Sequence, residues 1–471
     1  MTLAFDHPYP TVAPIGIDSA LVATQDSAPE TSLPAVTGAA LRVPLVTGGE
    51  IGYANLDYAA SAPALESVAG HVNQVLPYYA SVHRGAGYPS RVCTSLLERA
   101  RTTVAEFVGA RPDDVVVFTR NTTDALNLLA RAVPGTVLSL DVEHHANLLP
   151  WRARGHRVLR AAATIEQTLA ELEAALAAQP VALLAVTGAS NVTGEALPLA
   201  RITELAHRAG ARVAVDAAQL APHRRVSLTA TGIDYLAFSG HKLYAPYGAG
   251  VLVGRRDWLD IAPAHLPGGG AVHSVTDVDE VWAPAPQRHE GGTPNVLGAA
   301  ALAQACRTLA PVLSDAGRVG AVAHEQGLLE RLERGLTGID EVTVLRIWPD
   351  STERIAVLSF VVRGRPAGYV AAYLSAEHGI GVRDGKFCAH PLLRRLCSDG
   401  DAVRASIGLG TSAGDVDRLV NALRQLVTSG ARWTYAPVEG RWGPTPDPRD
   451  FDPFAVGAAP DRAPGCAGKT G

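Results

Sequence analysis

The chain has 471 residues, of which 47% are hydrophobic and 18% charged, and its net charge is -5. Such a chain can bury a large core, which excludes wholesale disorder, and its acidic balance argues against a nucleic-acid binder. No stretch reaches the roughly 18 apolar residues of a transmembrane helix, and the first residues lack a signal-peptide pattern. We therefore expect no membrane association and a cytoplasmic location.

Cysteine and lysine are both rare. The five cysteines are odd in number and widely spaced, which indicates reduced thiols and not a disulfide framework. Only three residues are lysines, namely Lys242, Lys386 and Lys469. Because the guanidinium group of arginine stays protonated and cannot form a Schiff base, a lysine-dependent enzyme has only these three candidates.

The chain order predicts a large α/β domain after an N-terminal extension. Residues 1–45 have no clear period and form the extension, and residues 46–305 form the large domain. Apolar strands are predicted at 115–118, 137–140, 181–186, 213–215, 235–238 and 250–253. Helices are predicted at 88–110, 122–132, 165–178 and 199–209. This alternation is typical of a mostly parallel sheet.

The pattern changes after about residue 305. Helical patterns at 301–336 and 415–428 flank strand-like stretches at 355–362 and 403–407, so residues 306–430 are predicted to form a smaller α+β domain. Residues 431–471 are rich in proline and poor in aliphatic residues. We expect this C-terminal tail to be an extended arm over the surface or to be partly disordered.

Polar side chains follow the predicted strands of the large domain, at the sheet edge where ligands bind in open α/β folds. They are Thr122, Thr123, His144, Asn191, Asp216, Gln219, Ser239, His241 and Lys242. Each has a structural interpretation when taken alone, since threonine caps helices, aspartate caps turns and a single histidine is often a surface residue. Lys242 is the exception, because surface lysines are nearly absent from this chain.

Taken together, these groups fit one cofactor, pyridoxal 5′-phosphate (PLP). The start of the helix at Thr122 and Thr123 offers free N–H groups to a phosphate. His144 offers an aromatic stacking group, Asp216 an acid for a pyridinium nitrogen, and Lys242 an amine for a Schiff base. The joint occurrence on successive strand ends carries the prediction.

Several short motifs extend this pattern along the chain in a fixed order. They are NLDYAASA (55–62), HRG (83–85), EHHAN (143–147), SNVTG (190–194), VDAAQ (215–219), SGHKLY (239–244), GGTPN (291–295), RDGKFCA (383–389) and RAS (404–406). In these motifs the chain resembles class V aminotransferase-fold enzymes, and more narrowly the group II (SufS-like) cysteine desulfurases and selenocysteine lyases. The resemblance covers residues from about 51 to 428. It implies a PLP fold type I large domain, like that of aspartate aminotransferase, with a mostly parallel seven-stranded sheet.

The resemblance implies a role for each residue of the cofactor site. Lys242 would hold PLP as a Schiff base and move the substrate's Cα proton, and His144 would stack on the ring. Asp216 would pair with the ring nitrogen and Gln219 with the ring oxygen. The phosphate would be held by Thr122, Thr123, Ser239 and His241. Thr293 would reach the cofactor of the neighbouring subunit, which implies a homodimer, and no metal is implied.

The resemblance also implies the substrate and the reaction. Arg404 would bind the carboxylate of L-cysteine, with Asn191, Arg383 and His83 near it. The thiolate of Cys388 would attack the substrate sulfur, leaving a persulfide on the enzyme and releasing alanine. The persulfide would then pass to an acceptor, either a protein or a small molecule.

The chain departs from the family pattern just before Cys388. Family members usually carry two histidines there, whereas this chain has Lys386 and Phe387, with His390 after the cysteine. The difference points to a specialised subgroup that serves another acceptor than the usual one.

Two other readings stay open from the sequence. One is a C–S lyase or an aminotransferase/epimerase-like enzyme acting on another amino acid, for which Cys388 would not be needed. The other is a non-catalytic binding protein of the same fold, against which the presence of Lys242, Asp216 and Arg404 argues.

Overall fold

Apolar runs rich in Val, Leu and Ala form most of the strands of a central sheet. The structure is a computed structural model that describes residues 33–313 and 320–454. Its strands there are β1 (Arg42–Pro44), β2 (Glu50–Gly52), β3 (Ala54–Asn55), β4 (Asp114–Thr119), β5 (Val137–Leu140), β6 (His156–Leu159), β7 (Leu183–Thr187), β8 (Arg212–Asp216), β9 (Tyr235–Ser239), β10 (Gly250–Arg255), β11 (Val272–Val275), β12 (Glu280–Trp282), β13 (Val342–Val344), β14 (Val357–Val362), β15 (Ile380–Gly381), β16 (Arg383–Gly385), β17 (Ala402–Ser406), β18 (Tyr435–Val438) and β19 (Arg441–Pro444).

Amphipathic segments between the strands form the helices. Those of the described residues are α1 (Glu66–Val75), α2 (Tyr88–Phe107), α3 (Thr122–Ala132), α4 (Ile165–Ala178), α5 (Leu199–Arg208), α6 (Leu228–Thr231), α7 (Arg256–Ile261), α8 (Val296–Leu309), α9 (Ala321–Thr337), α10 (Ala367–His378), α11 (His390–Leu396) and α12 (Ala413–Thr428). Short 3-10 helices cover Leu76–Tyr78, His145–Asn147, Pro150–Arg154 and Gln287–His289.

The central sheet has seven strands in the order β4-β10-β9-β8-β7-β5-β6. The strands from β9 to β6 pair in parallel, whereas β10 is antiparallel to both of its neighbours. This confirms the predicted mostly parallel seven-stranded sheet. The sequence prediction missed β6, an edge strand whose residues are only half-buried or exposed and which therefore lacks an apolar run.

Hydrophobic cores on both faces of this sheet explain why polar and apolar residues do not alternate along its strands. Val116 packs in the core on one face, while Val115 and Val117 pack in the core on the other. In β7, Leu184 and Leu183 divide between the same two cores. Strands that are buried on both faces of a parallel sheet have nearly continuous hydrophobic sequences.

A second, antiparallel sheet has four strands in the order β13-β14-β17-β16. Its core contains Leu332 of α9, Val370 of α10 and Leu423 of α12. Sheet and helices together correspond to the smaller α+β part expected after residue 305. The predicted boundary at 305–306 lies inside α8, and the domain limits stay predictions.

The beginning of the described chain packs with this second sheet. Strand β3 pairs in parallel with β15, and Asp57 forms a bridge with Ser406 at the end of β17. Val46 and Leu56 are buried in the core of the second sheet. The segment around Asp57 therefore lies beside the strand that carries Arg404. Of the predicted extension, residues 33–45 are described and include β1, while residues 1–32 lie outside the described range.

The C-terminal tail differs from the expected extended arm. Strands β18 and β19 form an antiparallel hairpin. The buried carboxylate of Glu377 accepts hydrogen bonds from the backbone N–H groups of Arg432 and Trp433 and from the hydroxyl of Tyr435. These bonds fix the start of the tail against α10. Residues 455–471 lie outside the described range.

Candidate active site

Lys242 lies in a tight turn directly after β9. A Cβ atom on Gly240 would come within 2.8 Å of the carbonyl oxygen of Ala245, so the turn closes this tightly only with glycine there. The backbone N–H of Ala62 donates to the carbonyl oxygen of His241 at 2.8 Å and ties the 57–62 segment to the turn. Burial lowers the pKa of Lys242 to about 8, against Asp216, which raises it.

Asp216 ends β8, the neighbour of β9 in the sheet. One carboxylate oxygen accepts a hydrogen bond from the backbone N–H of Ala218 at 3.0 Å. Burial raises the pKa of Asp216, and the positive charge of Lys242 partly offsets this effect. Gln219 is buried on the same turn and donates to the carbonyl oxygen of Ala59 at 2.8 Å. Two neighbouring strand ends thus bring an acid and an amine into one site.

His144 follows β5 and is held in one orientation. The backbone N–H of Ala146 donates to its Nδ1 atom at 3.0 Å, so this nitrogen carries no proton and Nε2 carries one. Burial, with Lys242 as a lesser cause, lowers the pKa of His144 to about 3. The imidazole is therefore neutral at physiological pH.

The N-terminus of α3 forms the third part of the site. The buried hydroxyl of Ser239 accepts from the backbone N–H of Thr122 at 2.7 Å and is equally close to the Thr122 hydroxyl. Asn121 caps the helix by accepting from the N–H of Asp124, so the cap is one residue before the predicted threonine. A Cβ atom on Gly250 would lie 2.5 Å from the Cα of Asn121, which shows how closely β10 approaches the helix start.

Two further residues lie at this end of the sheet. Thr123 is exposed in the first turn of α3, next to the contact between Thr122 and Ser239. His241 is half-buried, and its Nδ1 lies 3.4 Å from the hydroxyl of Ser61. Both therefore keep polar groups near the helix N-terminus.

Arg404 enters the site from β17 of the second sheet. It is 4% exposed, its Nη1 donates to the carbonyl oxygen of Asn191 at 2.9 Å, and its Nη2 lies 3.3 Å from Oδ1 of Asp57. The ring of Phe387 covers the guanidinium at 5.1 Å. Burial lowers the pKa of Arg404 to about 10, against Asp57, which raises it. Arg383 is half exposed and shares Asp57, at 3.4 Å.

The loop that carries Cys388 is fixed to the central sheet by two hydrogen bonds. The side-chain amide of Asn191 donates to the carbonyl oxygen of Phe387, and the backbone N–H of His145 donates to that of Cys388, both at 2.8 Å. Phe387 and Cys388 have φ angles of 47° and 53°, in the left-handed region that non-glycine residues rarely adopt. A strained backbone that neighbouring residues hold in place is common at functional sites.

A negative charge on Cys388 affects the pKa of two other site residues. As a thiolate it raises the pKa of Lys242 and of Arg404, in each case against the larger effect of burial. Beside the loop, the ring of His390 contacts the ring of His145 edge-on at 4.6 Å. The structure therefore brings together the lysine, the arginine and the cysteine that the sequence singled out.

Two predicted residues lie outside this cluster. Thr293 is exposed just before α8. His83 is exposed before α2, has a φ of 62°, and pairs through Nε2 with Glu98 at 3.0 Å. Neither has a described contact with Lys242 or Asp216 within the one chain.

Sequence reasoning assigned no role to Asp57 or Glu143, although both stand in the quoted motifs. Asp57 contacts two arginines of the site. Glu143 is 1% exposed next to His144, accepts from the side chain of Asn147, and has a pKa that burial raises to about 8. A carboxylate three positions after an apolar strand was the available signal for Glu143. Only the tertiary fold brings Asp57 to Arg404.

Two features are absent from the described residues. These residues contain no cluster of three or more His, Cys, Asp or Glu side chains suited to hold a metal ion. No described helix combines the length and the hydropathy needed to cross a membrane.

Comparison with known proteins places the chain in a family. A profile described as aminotransferase class-V matches residues 54–419. The cysteine desulfurase of Dickeya dadantii is 37% identical over 81% of this chain and 93% of its own length. The probable cysteine desulfurase 2 of Mycobacterium leprae is 37% identical over 72% of this chain and 83% of its own length.

Solved structures agree with these sequence matches. The apo cysteine desulfurase of Thermococcus onnurineus superposes with a TM-score of 0.73 at 31% identity, covering 80% of this chain and 94% of that one. The cysteine desulfurase CsdA of Escherichia coli gives a TM-score of 0.71 at 32% identity, over 84% and 97%. The chain belongs to the aminotransferase class-V family, and its relatives there, by sequence and by structure, are cysteine desulfurases.

Proposed function

We propose that the protein is a PLP-dependent cysteine desulfurase that converts L-cysteine to L-alanine and carries the sulfur on Cys388. The observation that carries this proposal is the joint placement of Lys242, Arg404 and Cys388, whose charges influence one another. The names of the relatives support the same activity. Family membership implies PLP as the cofactor, and the contacts of the residues at the strand ends support it.

The residues at the strand ends fit PLP. The Asp216 carboxylate is buried and its pKa stays raised despite the charge of Lys242, so a protonated ring nitrogen would give it a further positive partner. The hydroxyls of Thr122 and Ser239 meet at the N-terminus of α3, where helix N–H groups favour a phosphate. Thr123 and His241 would add donors there, and Gln219 and His144 would orient the ring. Lys242 would hold the cofactor covalently through its amino group.

Arg404 is suited to bind the carboxylate of the substrate. Its Nε is buried and has no hydrogen-bond partner among the described residues, although a buried guanidinium group strongly favours one. Asn191 fixes the guanidinium from one side through its carbonyl oxygen. Arg383 lies at the rim and would add a second positive charge. The substrate sulfur would then face the Cys388 loop, whose residue Phe387 covers Arg404.

The chain supplies the proton and sulfur chemistry. Bound PLP would provide an electron sink for carbanion chemistry at the substrate's α-carbon. With its pKa near 8, Lys242 can take a proton from that carbon and return one. The Cys388 thiolate attacks the substrate sulfur, an S–S bond forms, and the substrate's C–S bond breaks. Cysteine and the Cys388 thiol thus become alanine and a Cys388 persulfide, with every atom accounted for.

We also propose a homodimer in the cytoplasm. Thr293 and His83 are exposed and lie away from the site of their own chain, which is consistent with roles at the site of a second copy. Tyr79 and Tyr88, near His83, are 53% and 73% exposed, and large aromatic surfaces of this kind are typical of interfaces. The sulfur acceptor is a protein or a small molecule, and Lys386 and His390 at the loop would meet it first.

The second candidate, a C–S lyase, is favoured by the half-exposed position of Cys388, which would also suit a residue with no chemical role. Product analysis separates the two. With L-cysteine and a reductant, the desulfurase yields alanine, and Cys388→Ser abolishes it, because no thiolate remains to accept sulfur. A lyase yields pyruvate, ammonia and sulfide, and Cys388→Ser leaves its rate unchanged.

A further inference from the structure

The carboxylate of Asp57 lies between the two arginines of the site. Its Oδ1 is 3.3 Å from Nη2 of Arg404, and its Oδ2 is 3.4 Å from Nε of Arg383. Each oxygen therefore serves a different guanidinium. A free carboxylate ligand would be drawn to the same position by the same two charges.

The contact with Asp57 uses only one of the two donors on one edge of the Arg404 guanidinium. The Nε and Nη2 donors lie on one edge and together form the fork that binds a carboxylate side-on. Asp57 takes Nη2, whereas Nε is buried and has no partner among the described residues. The opposite donor, Nη1, donates to the carbonyl oxygen of Asn191, and the ring of Phe387 lies over one face of the guanidinium. Among the described residues, the Nε–Nη2 edge is therefore the one with an unpartnered donor, and Asp57 already sits on this edge.

The ion pair between Asp57 and Arg404 does not fully offset the effect of burying the two charged groups. Burial raises the pKa of Asp57, and the two arginines lower it by less than burial raises it. The pKa of Arg404 is likewise lowered by burial despite Asp57. For both residues the effect of burial thus outweighs the contact between them, which favours exchange of Asp57 for a carboxylate that fills both donors of Arg404.

The backbone of Asp57 is fixed, whereas its side chain can turn. Its N–H donates to the side chain of Asn55 at 3.0 Å, and the residue is bridged to Ser406 of β17. Its side chain is 23% exposed and already touches Arg383 at the rim. A rotation of the side chain towards Arg383 frees Arg404 without moving the strand.

We infer that Asp57 is an internal competitor for the carboxylate site: it occupies Arg404 in the empty enzyme and yields it to the carboxylate of the incoming amino acid while keeping Arg383. Asp57 is thus a positioning residue that sets substrate affinity. The inference rests on the proposed role of Arg404 in substrate binding. It predicts that the apparent affinity for any carboxylate is lowered by the fraction of enzyme in which Asp57 holds Arg404.

The test uses the holoenzyme and propionate, a carboxylate without an amine, with neutral propionamide as the control ligand. If Asp57 holds Arg404 in nine-tenths of molecules, Asp57→Asn tightens the Kd of propionate about tenfold. Propionamide binding stays unchanged, and Asp57→Glu, which keeps the charge, restores weak binding. Asp141→Asn, which breaks a comparable partly buried pair with Arg395, leaves propionate binding unchanged. Equal or weaker propionate binding by Asp57→Asn overturns the inference.

A second measurement on the wild-type protein covers the case in which the variant does not fold. A crystal structure with propionate must show the ligand on Nε and Nη2 of Arg404 and Asp57 turned away from Nη2. Propionate bound elsewhere, with Asp57 still on Arg404, overturns the inference. Turnover of L-cysteine to L-alanine, measured in parallel, reports on the proposed function separately: its absence refutes the desulfurase, whereas tighter propionate binding would still support the role of Asp57.

Discussion

The backbone N–H of His145 donates a hydrogen bond of 2.8 Å to the carbonyl oxygen of Cys388. His145 directly follows His144, the histidine proposed to stack on the cofactor. One hydrogen bond therefore joins the Cys388 loop to the immediate neighbour of the residue that would orient the ring. Lys386 and Phe387 precede Cys388 in this loop, and the ring of His390, which follows Cys388, contacts the ring of His145 edge-on at 4.6 Å.

The contact between His390 and His145 predicts a specific kinetic defect. A ring pair of this kind contributes about 0.5–1.5 kcal/mol, so if all of this energy is lost from the transition state, sulfur transfer to Cys388 should slow about 2- to 13-fold. His390→Ala is expected to lower kcat while leaving the KM for cysteine unchanged, because Arg404 is not touched. The control is His273→Ala, in the exposed hairpin strand β11. A raised KM with normal kcat would place His390 in substrate binding instead.

Lys242 is predicted to be the only lysine that holds the cofactor. Reduction with borohydride followed by peptide mapping should find the pyridoxyl group on Lys242, because of the two lysines in the described residues it is Lys242 whose charge interacts with Asp216. Lys242→Ala should lose turnover almost completely. Lys386→Ala is the matched control and should keep the cofactor. A label on Lys386 would contradict the site assignment.

Gly250 is predicted to be essential for the shape of the phosphate site. Alanine there would put a Cβ 2.5 Å from the backbone of Asn121 and push the N-terminus of α3 away from Ser239. We expect a loss of about 1–3 kcal/mol in the free energy of unfolding and weaker retention of PLP. Gly268→Ala is the control, since no atom lies within 4 Å of its added Cβ. Equal PLP retention in both variants would contradict this account.

Glu143 is predicted to make stability depend on pH. Burial raises its pKa to about 8, so the folded protein holds a proton that the unfolded chain releases above its ordinary pKa of 4.5. The stabilisation is fully present below pH 4.5 and is lost as the pH rises towards 8. In this window the free energy of unfolding should fall by up to about 1.4 kcal/mol per pH unit on account of this group. Glu143→Gln should flatten that slope in denaturant titrations, and an unchanged slope would contradict the prediction.

The local sequence predicts the central sheet well, and also the edge at which the candidate site residues lie, for a physical reason. The apolar runs that form β4, β7 and β9 are needed because both faces of the sheet are covered, and the polar residues that follow them must meet at one edge. The edge strand β6 escaped prediction because it is not buried on both faces. The domain limits, the dimer and the residue roles stay predictions.

The contacts that complete the site are long-range and leave no local signal. Asp57 and Arg404 are separated by 347 positions in the chain, and their contact depends on the bridge between the first described strands and β17. In the same way, the bond from Asn191 to the carbonyl oxygen of Phe387 joins the two sheets. A motif can point to each of these residues but not to the pairing between them.

The central claim is that sulfur passes to Cys388, and the mass of the Cys388 peptide after a single turnover tests it most directly. The holoenzyme is mixed with one equivalent of L-cysteine without oxygen or reductant, quenched, digested and analysed by mass spectrometry. The account predicts a gain of about 32 Da, one sulfur atom, on the peptide that contains Cys388 and none on the peptide that contains Cys397, with one alanine formed per site. An unmodified Cys388 peptide together with pyruvate would contradict it.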